Sequence, residues 1–266
     1  MTLPERSPDT AHRGVERIAA ALEFVAGRGW VSAADLSVAL GVDRSTGWRL
    51  ARSLERVGWL HLDADSHLYR LGVPLFELGV RVLDTFDVRA EARRVMTDLV
   101  ASTGESADLA ILDGDSAVFI DKLDGTNEVR AFTRSGQRAR LHAVAAGKVL
   151  LASMPERDLE AYLAGPLEPY TALTITDASV LRRVVEETRR RGWAVNRGEL
   201  HLEAGALAVP ILDAGGACVA ALGLNIPLTR LRDDDNPALI AALQAAAERI
   251  TPPTGSGVPS RPGLRR

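Results

Sequence analysis

Within residues 14–72, three short stretches of helical spacing run into a pair of strands, and few folds accept that order. Val15, Ile18, Leu22 and Val25 recur at helical intervals and predict a first helix. Ser32, followed three residues on by Asp35, opens a second helix that buries Leu36 and Leu40 and stops at Gly41. Asp43 is placed to cap a third, with Leu50, Leu54 and Val57 on its buried face and Gly58 at its end. Trp59–Leu62 and His67–Leu71 then read as strands around the turn Asp63-Ala64-Asp65-Ser66. Two helices joined by a tight turn, followed by a hairpin, form the order of a winged helix-turn-helix.

The third helix carries the chemistry that makes this order informative. Its exposed side presents Arg44, Ser45, Trp48, Arg49, Arg52 and Arg56. Residues 43–57 hold four Arg against Asp43 and Glu55, whereas residues 1–72 as a whole balance nine Arg with nine acids. Positive charge is thus concentrated where a recognition helix would present it. The competing reading is a solvated arginine face on an ordinary helix.

The chain's net charge of -3 excludes a protein that holds DNA by bulk charge, but not one that reads a sequence. There are 30 Arg and 2 Lys, a bias that suits bidentate contacts and that codon usage also explains. The single cysteine, Cys218, excludes a disulfide framework and a paired-cysteine zinc site, which favours a cytoplasmic setting. Residues 1–12 contain Glu5 and Asp9 and no apolar run, so a loose arm is expected there and not a secretory signal. No apolar run approaches membrane-spanning length, so no membrane association is expected. The tail from Thr251 is rich in Pro, Gly and Ser and is expected to be disordered.

Residues 103–250 alternate strand-like and helix-like stretches. Ala107–Leu112 and Ala117–Leu123 flank Asp113-Gly114, and Val129–Thr133 can add a strand. His142–Ser153 and 178–191 read as helices, the latter between Asp177 and Gly192. Ala206–Leu212 and Ala217–Ile226 are apolar strands, and Pro237 suits the start of a last helix. Hairpins alternating with helices imply an α+β layer with an antiparallel sheet. The expected division is a winged helix-turn-helix over 13–73, linker helices over 74–102 and a second domain over 103–250.

From about Gly14 to Ile250 the sequence resembles the IclR family of bacterial transcriptional regulators. The resemblance is carried by LSVALGVDRSTGWRLARSLERVGWL, by YRLG at 69–72, and by TGESADLAILDGDSAVFIDKLDG at 103–125. LHAVAAGKVLLAS at 141–153, TITD at 174–177 and the run 189–227 complete it. It implies a GAF-like effector-binding domain behind the winged helix-turn-helix and double-stranded operator DNA as partner. It also implies a small organic effector, and a homodimer or a dimer of dimers. Arg44, Ser45, Thr46, Trp48, Arg49 and Arg52 would meet the major groove or its phosphates, with Arg70 reaching the backbone from the wing. By position the effector pocket would include Ala131, Ala139, Ala145, Ala146, Asn196, Ala204, Ala206, Gly223 and Asn225. Keto-acid-binding members place an acid, a thiol and hydroxyls where this chain has Asn196, Ala206, Gly223 and Asn225. The small walls then suggest a larger, mostly apolar effector, or merely close packing of the sheet. Gly47 departs from the aliphatic or Ala usual on the buried side of the recognition helix, and costs ~1 kcal/mol against Ala.

Other constellations are weaker. Gly147-Lys148 lacks the spacing of a phosphate loop. Glu199, His201 and Glu203 alternate and would share one face of a strand, as metal ligands or as solvated groups. Asp233–Asp235 suit a helix cap better than a calcium loop. No nucleophile elbow, zinc helix or Cys–His pair is present, so no catalytic residue, resident metal or cofactor is expected. The alternatives are an enzyme using the second domain, or a ligand-sensing adaptor without DNA binding.

Overall fold

The computed structural model describes residues 8–83, 85–127, 134–232 and 236–252, the side chains of 8–12 and 87 excepted. The chain divides into two compact units, Met1–Asp84 and Thr85–Arg266. Ala131 and the strand expected at 129–133 lie outside the described residues, as do Asp233–Asp235 and 253–266.

The first unit contains α1 (Pro8–Arg28), α2 (Ala33–Ala39), α3 (Arg44–Arg56), β1 (Leu60–Leu62), β2 (Tyr69–Leu71) and α4 (Val73–Leu83). Helix α1 opens on a proline, whose fixed φ is already helical, so part of the expected loose arm is helix from Pro8 onward. A capping box starts α2: Asp35 N donates to Ser32 Oγ at 3.1 Å, and Ser32 N donates back to the Asp35 carboxylate at 2.8 Å. Asp43 caps α3, accepting from Thr46 N at 3.0 Å. Gly41 and Gly58, both at positive φ, turn the chain at the two helix ends. The core gathers Ala21, Val25, Val31, Leu36, Ala51, Leu54, Leu60 and Tyr69. Val15 and Val57, expected to be apolar markers of their helices, are exposed. The buried stripe of α3 is instead Gly47, Ala51 and Leu54, at helical spacing.

Gly47 is therefore a packing residue. A methyl group there would lie 2.0 Å from Ser37 Oγ, 3.0 Å from Ser37 Cβ and 3.1 Å from Ser37 Cα. Turning the hydroxyl aside would sacrifice its 2.9 Å bond to Ala33 O and still leave the other two contacts tight. The glycine lets α2 and α3 approach closely, and this offsets its poor helix propensity.

In the second unit, α5 (Asp87–Thr103) leads into β3 (Ser106–Asp113), β4 (Ser116–Leu123) and β5 (Arg138–Arg140). A 3-10 turn at Leu141–Ala143 precedes α6 (Ala145–Ser153), α7 (Glu156–Leu163), α8 (Ala178–Arg191), β6 (Ala194–Arg197), β7 (Ala204–Leu212), β8 (Cys218–Pro227) and α9 (Pro237–Glu248). The strands form one antiparallel sheet in the order β5-β4-β3-β8-β7-β6. Helix α6 packs on β6, β7 and β8, whereas α5 packs on β3, β4 and α9. Central β8 is buried along Val219–Pro227, which is why it reads as an apolar run, broken only by Asn225, rather than as alternation. Asp177 caps α8 and Gly192, at φ +77, ends it. The helices expected as a linker over 74–102 are two, α4 and α5, one in each unit. The tail begins tied: Thr251 N donates to Glu91 and Pro252 O accepts from Ala214 N.

Candidate nucleic-acid interface and ligand cavity

With Gly47, Ala51 and Leu54 turned inward, α3 presents Arg44, Ser45, Trp48, Arg49, Arg52 and Arg56 to solvent. Trp48 is 55% exposed, large for an indole that no partner covers. The Arg52 guanidinium lies 5.9 Å from the Trp48 ring centroid and pairs with Glu55 at 2.8 Å. Arg49 lies back along the helix, with Nε donating to Ser45 O and Nη2 to Thr46 Oγ1, both at 3.3 Å. The hydroxyls of Ser45 and Thr46 donate to Asp43 at 2.6 and 2.7 Å. These bonds hold the Asp43 carboxyl well below the usual carboxylate range, with Ser45 the largest influence. Both hydroxyl protons are engaged by the cap, so toward a base edge or phosphate these two residues retain only lone pairs. Arg70 is exposed on β2, and its guanidinium lies 5.6 Å from the ring of Trp30, a residue that helical and strand spacing do not mark.

The second unit holds a cavity at the N-terminus of α6. Of the residues expected there, Ala145, Ala146, Asn196, Ala204, Ala206, Gly223 and Asn225 line it. Ala139 does not: it pairs with Ala117 on β5 and packs in the core. The polar wall adds Asp108, Gln137 and His201, none of which sequence spacing had marked for a pocket. Asn225 Nδ2 donates to Asp108 Oδ2 at 2.6 Å, and a methyl on Gly223 would fall 2.3 Å from Asp108 Oδ1. Gly223 therefore makes room for a buried carboxylate. Asn196 Nδ2 donates to Ala143 O at 2.5 Å and its Oδ1 accepts from Glu199 N at 3.3 Å, so this side chain braces the wall. The first turn of α6 lines the cavity, and its N-cap, Val144, contributes no side-chain bond. Amides at a helix start suit an anionic or carbonyl oxygen.

The space open to a water-sized body is about 40 Å³. That is room for water, not for an organic ligand, whose sites run to roughly 300–1,000 Å³. The small side chains leave little free space here, as the close-packing alternative expects.

Beneath the cavity lies a buried ion pair. Lys148 Nζ donates to Glu199 Oε1 at 2.6 Å and to Val195 O at 2.9 Å. Burial pulls the lysine below its ordinary value while Glu199 opposes the shift. Among the described residues, Glu199 Oε2 has no hydrogen-bond partner. The alternating Glu199, His201 and Glu203 do not share a strand face: they sit in the β6–β7 connection after Gly198, which turns at φ +76. Glu199 is buried while His201 and Glu203 are exposed, and among the described residues no cluster suited to a metal forms.

His142, fully buried, is fixed at both nitrogens. Nε2 lies 3.0 Å from Glu168 O, which only accepts, so Nε2 carries the proton and Nδ1 accepts from Tyr162 Oη at 2.8 Å. Burial lowers the His142 pKa and pushes Tyr162 up to about 12. With the folded value depressed, the unfolded chain binds the proton that the folded site refuses. Stability from this group is complete above the ordinary histidine value near 6.5 and falls as pH drops below it. Denaturation of the parent between pH 7.5 and 5.5 should show this loss, at most about 1.4 kcal/mol per pH unit. His142→Gln should flatten that part of the profile, and an unchanged slope would refute the assignment.

The family described as "Bacterial transcriptional regulator IclR C-terminal" matches residues 80–252. The regulator XynR of Escherichia coli is 33% identical over 75% of this chain and 79% of its own length. The glycerol operon regulatory protein of Streptomyces griseus is 32% identical over 92% and 97%. Among solved structures, the IclR protein of Thermotoga maritima aligns with a TM-score of 0.73 at 30% identity, covering 90% of this chain and 97% of that one. An IclR homologue from Microbacterium hydrocarbonoxydans, complexed with 4-hydroxybenzoate, aligns with a TM-score of 0.78 at 28% identity, covering 89% and 96%.

Proposed function

Because the chain belongs to the IclR family of bacterial transcriptional regulators, we propose that α3 and the wing bind operator DNA under control of a small organic effector taken into the α6 cavity. It is a regulator, as its relatives are, and not an enzyme. One observation carries the DNA reading. The exposed side of α3 bears Arg44, Trp48, Arg49 and Arg52, while Gly47, Ala51 and Leu54 hold its other side in the core. Such a helix can enter a major groove as a rigid element. The effector reading is supported by the related structure that holds 4-hydroxybenzoate, and by a cavity flanked by helix amides and paired polar side chains. An effector that favours a wider form of this cavity draws the population toward that form.

Arg52→Ala is the direct test. The side chain is half exposed, so the fold should be retained. Operator affinity should fall by about 1–3 kcal/mol in a gel-shift titration, the range for losing one specific contact. Equal affinities for variant and parent would count against α3 as the reading helix. No described helix is long and apolar enough to cross a membrane. We further take the working form to be a homodimer, joined through α4, able to pair into a dimer of dimers.

A further inference from the structure

Trp30 lies in the bend between α1 and α2, outside both helices. Its neighbour Val31 forms an antiparallel bridge with Tyr69. Continuing that register sets Trp30 level with Arg70, and Arg70 is opposite His61 on the other side. Trp30, Arg70 and His61 therefore form one row across the wing. Tyr69 is buried beneath the wing, whereas Arg70 is exposed. The Arg70 guanidinium sits 5.6 Å from the Trp30 ring centroid, and Trp30 keeps 46% of its surface open. Arg52 is tied to Glu55, but no described carboxylate lies within ion-pair distance of Arg70. A guanidinium resting on an aromatic face keeps its planar fork of N–H groups free for a phosphate.

The tip of the wing is unsuited to that task. It carries Asp63 and Asp65, and Asp63 closes on Ser66 through bonds to its amide at 2.8 Å and its hydroxyl at 2.7 Å. Two carboxylates at the tip repel a phosphate, so the positive contact falls to the base of the wing.

We infer that Trp30 is a positioning residue that holds Arg70 against a DNA phosphate, which extends the interface from α3 to the α1–α2 bend. The inference rests on the operator-binding reading above. Its probe is a labelled duplex of about 30 base pairs, long enough for two half-sites, recovered from a randomised pool by the intact parent chain. Trp30→Leu keeps apolar cover and removes the π face, while Trp30→Phe keeps an aromatic face. Trp30→Leu should raise Kd roughly two- to fivefold, with Trp30→Phe close to the parent. Arg70→Ala should reduce the slope of log affinity against log salt by about 0.9, the share of one phosphate. In the Arg70→Ala background, Trp30→Leu should add nothing.

Thermal midpoints of all variants are read alongside, since a purely structural tryptophan would move stability and leave the salt slope alone. Equal effects of Trp30→Leu with and without Arg70 would overturn the inference, as would unchanged affinity. If the parent recovers no duplex, the operator reading falls and carries this one with it.

Discussion

Lys148→Met should destabilise the second unit by about 3–5 kcal/mol, the cost of stripping one partner from a buried ion pair. The lysine is fully enclosed and its ammonium has two acceptors, Glu199 Oε1 and Val195 O. Methionine fills nearly the same volume, so the loss is not a cavity effect. It leaves a carboxylate that already has one unpartnered oxygen without its cation, deep in a medium that solvates charge poorly. Adding Glu199→Leu to the Lys148→Met background should recover most of the loss, because an apolar pair replaces the ionic one without stranding a charge. Urea denaturation of the full chain, followed at a probe in the second unit, measures both. A loss below about 1 kcal/mol for the single variant would mean that the pair is not ionised or that water relieves it. The consequence reaches the ligand site, since Glu199 adjoins Leu200 and His201 in the cavity wall, while α6 forms its floor. The pair ties α6 to the β6–β7 connection that lines the cavity.

What could be read from the sequence was local in origin. Ser32, Asp43 and Asp177 announce helix starts because a short side chain satisfies amides only two or three residues away. Gly41 and Gly192 announce ends because few other residues accept a positive φ. The arginine face of α3 follows from helical spacing alone. The long-range features were not legible. Lys148 and Glu199 stand 51 residues apart, and nothing near either names the other. Asp108 is one polar letter inside an apolar strand, and the Gly223 opposite it and the Asn225 amide that bonds it explain how it is accommodated. Gly47 read as a weakness until Ser37 appeared against it. The alternation of Glu199, His201 and Glu203 imitated a strand, but Gly198 turns the chain just before it. Seven of the small and amide residues carried over from the family resemblance do line the cavity, where the space open to a water-sized body is about 40 Å³.

Phe76→Asp should convert the protein to monomers and weaken operator binding by about 10²–10⁴-fold, the range by which joining two sites raises avidity. Helix α4 has 11 residues and buries none of them, although Val73, Phe76, Leu78 and Val82 are each more than half exposed. Apolar side chains at that density on one short helix mark an interaction surface. A second copy is the occupant that the DNA unit itself calls for. One α3 offers only a few arginines, and the first 72 residues carry no net charge, so a lone unit gains little from non-specific attraction. Two α3 helices on half-sites one helical turn apart would supply the missing affinity, and a symmetric dimer would space them. Because Phe76 is 71% exposed, the substitution removes no core contact, and helix content should be unchanged. Light scattering after size-exclusion chromatography reports the mass, and titration of the selected duplex reports the affinity. A variant that keeps the parent's mass would move the interface elsewhere. One that becomes monomeric yet binds DNA at full strength would show that a single winged helix-turn-helix suffices.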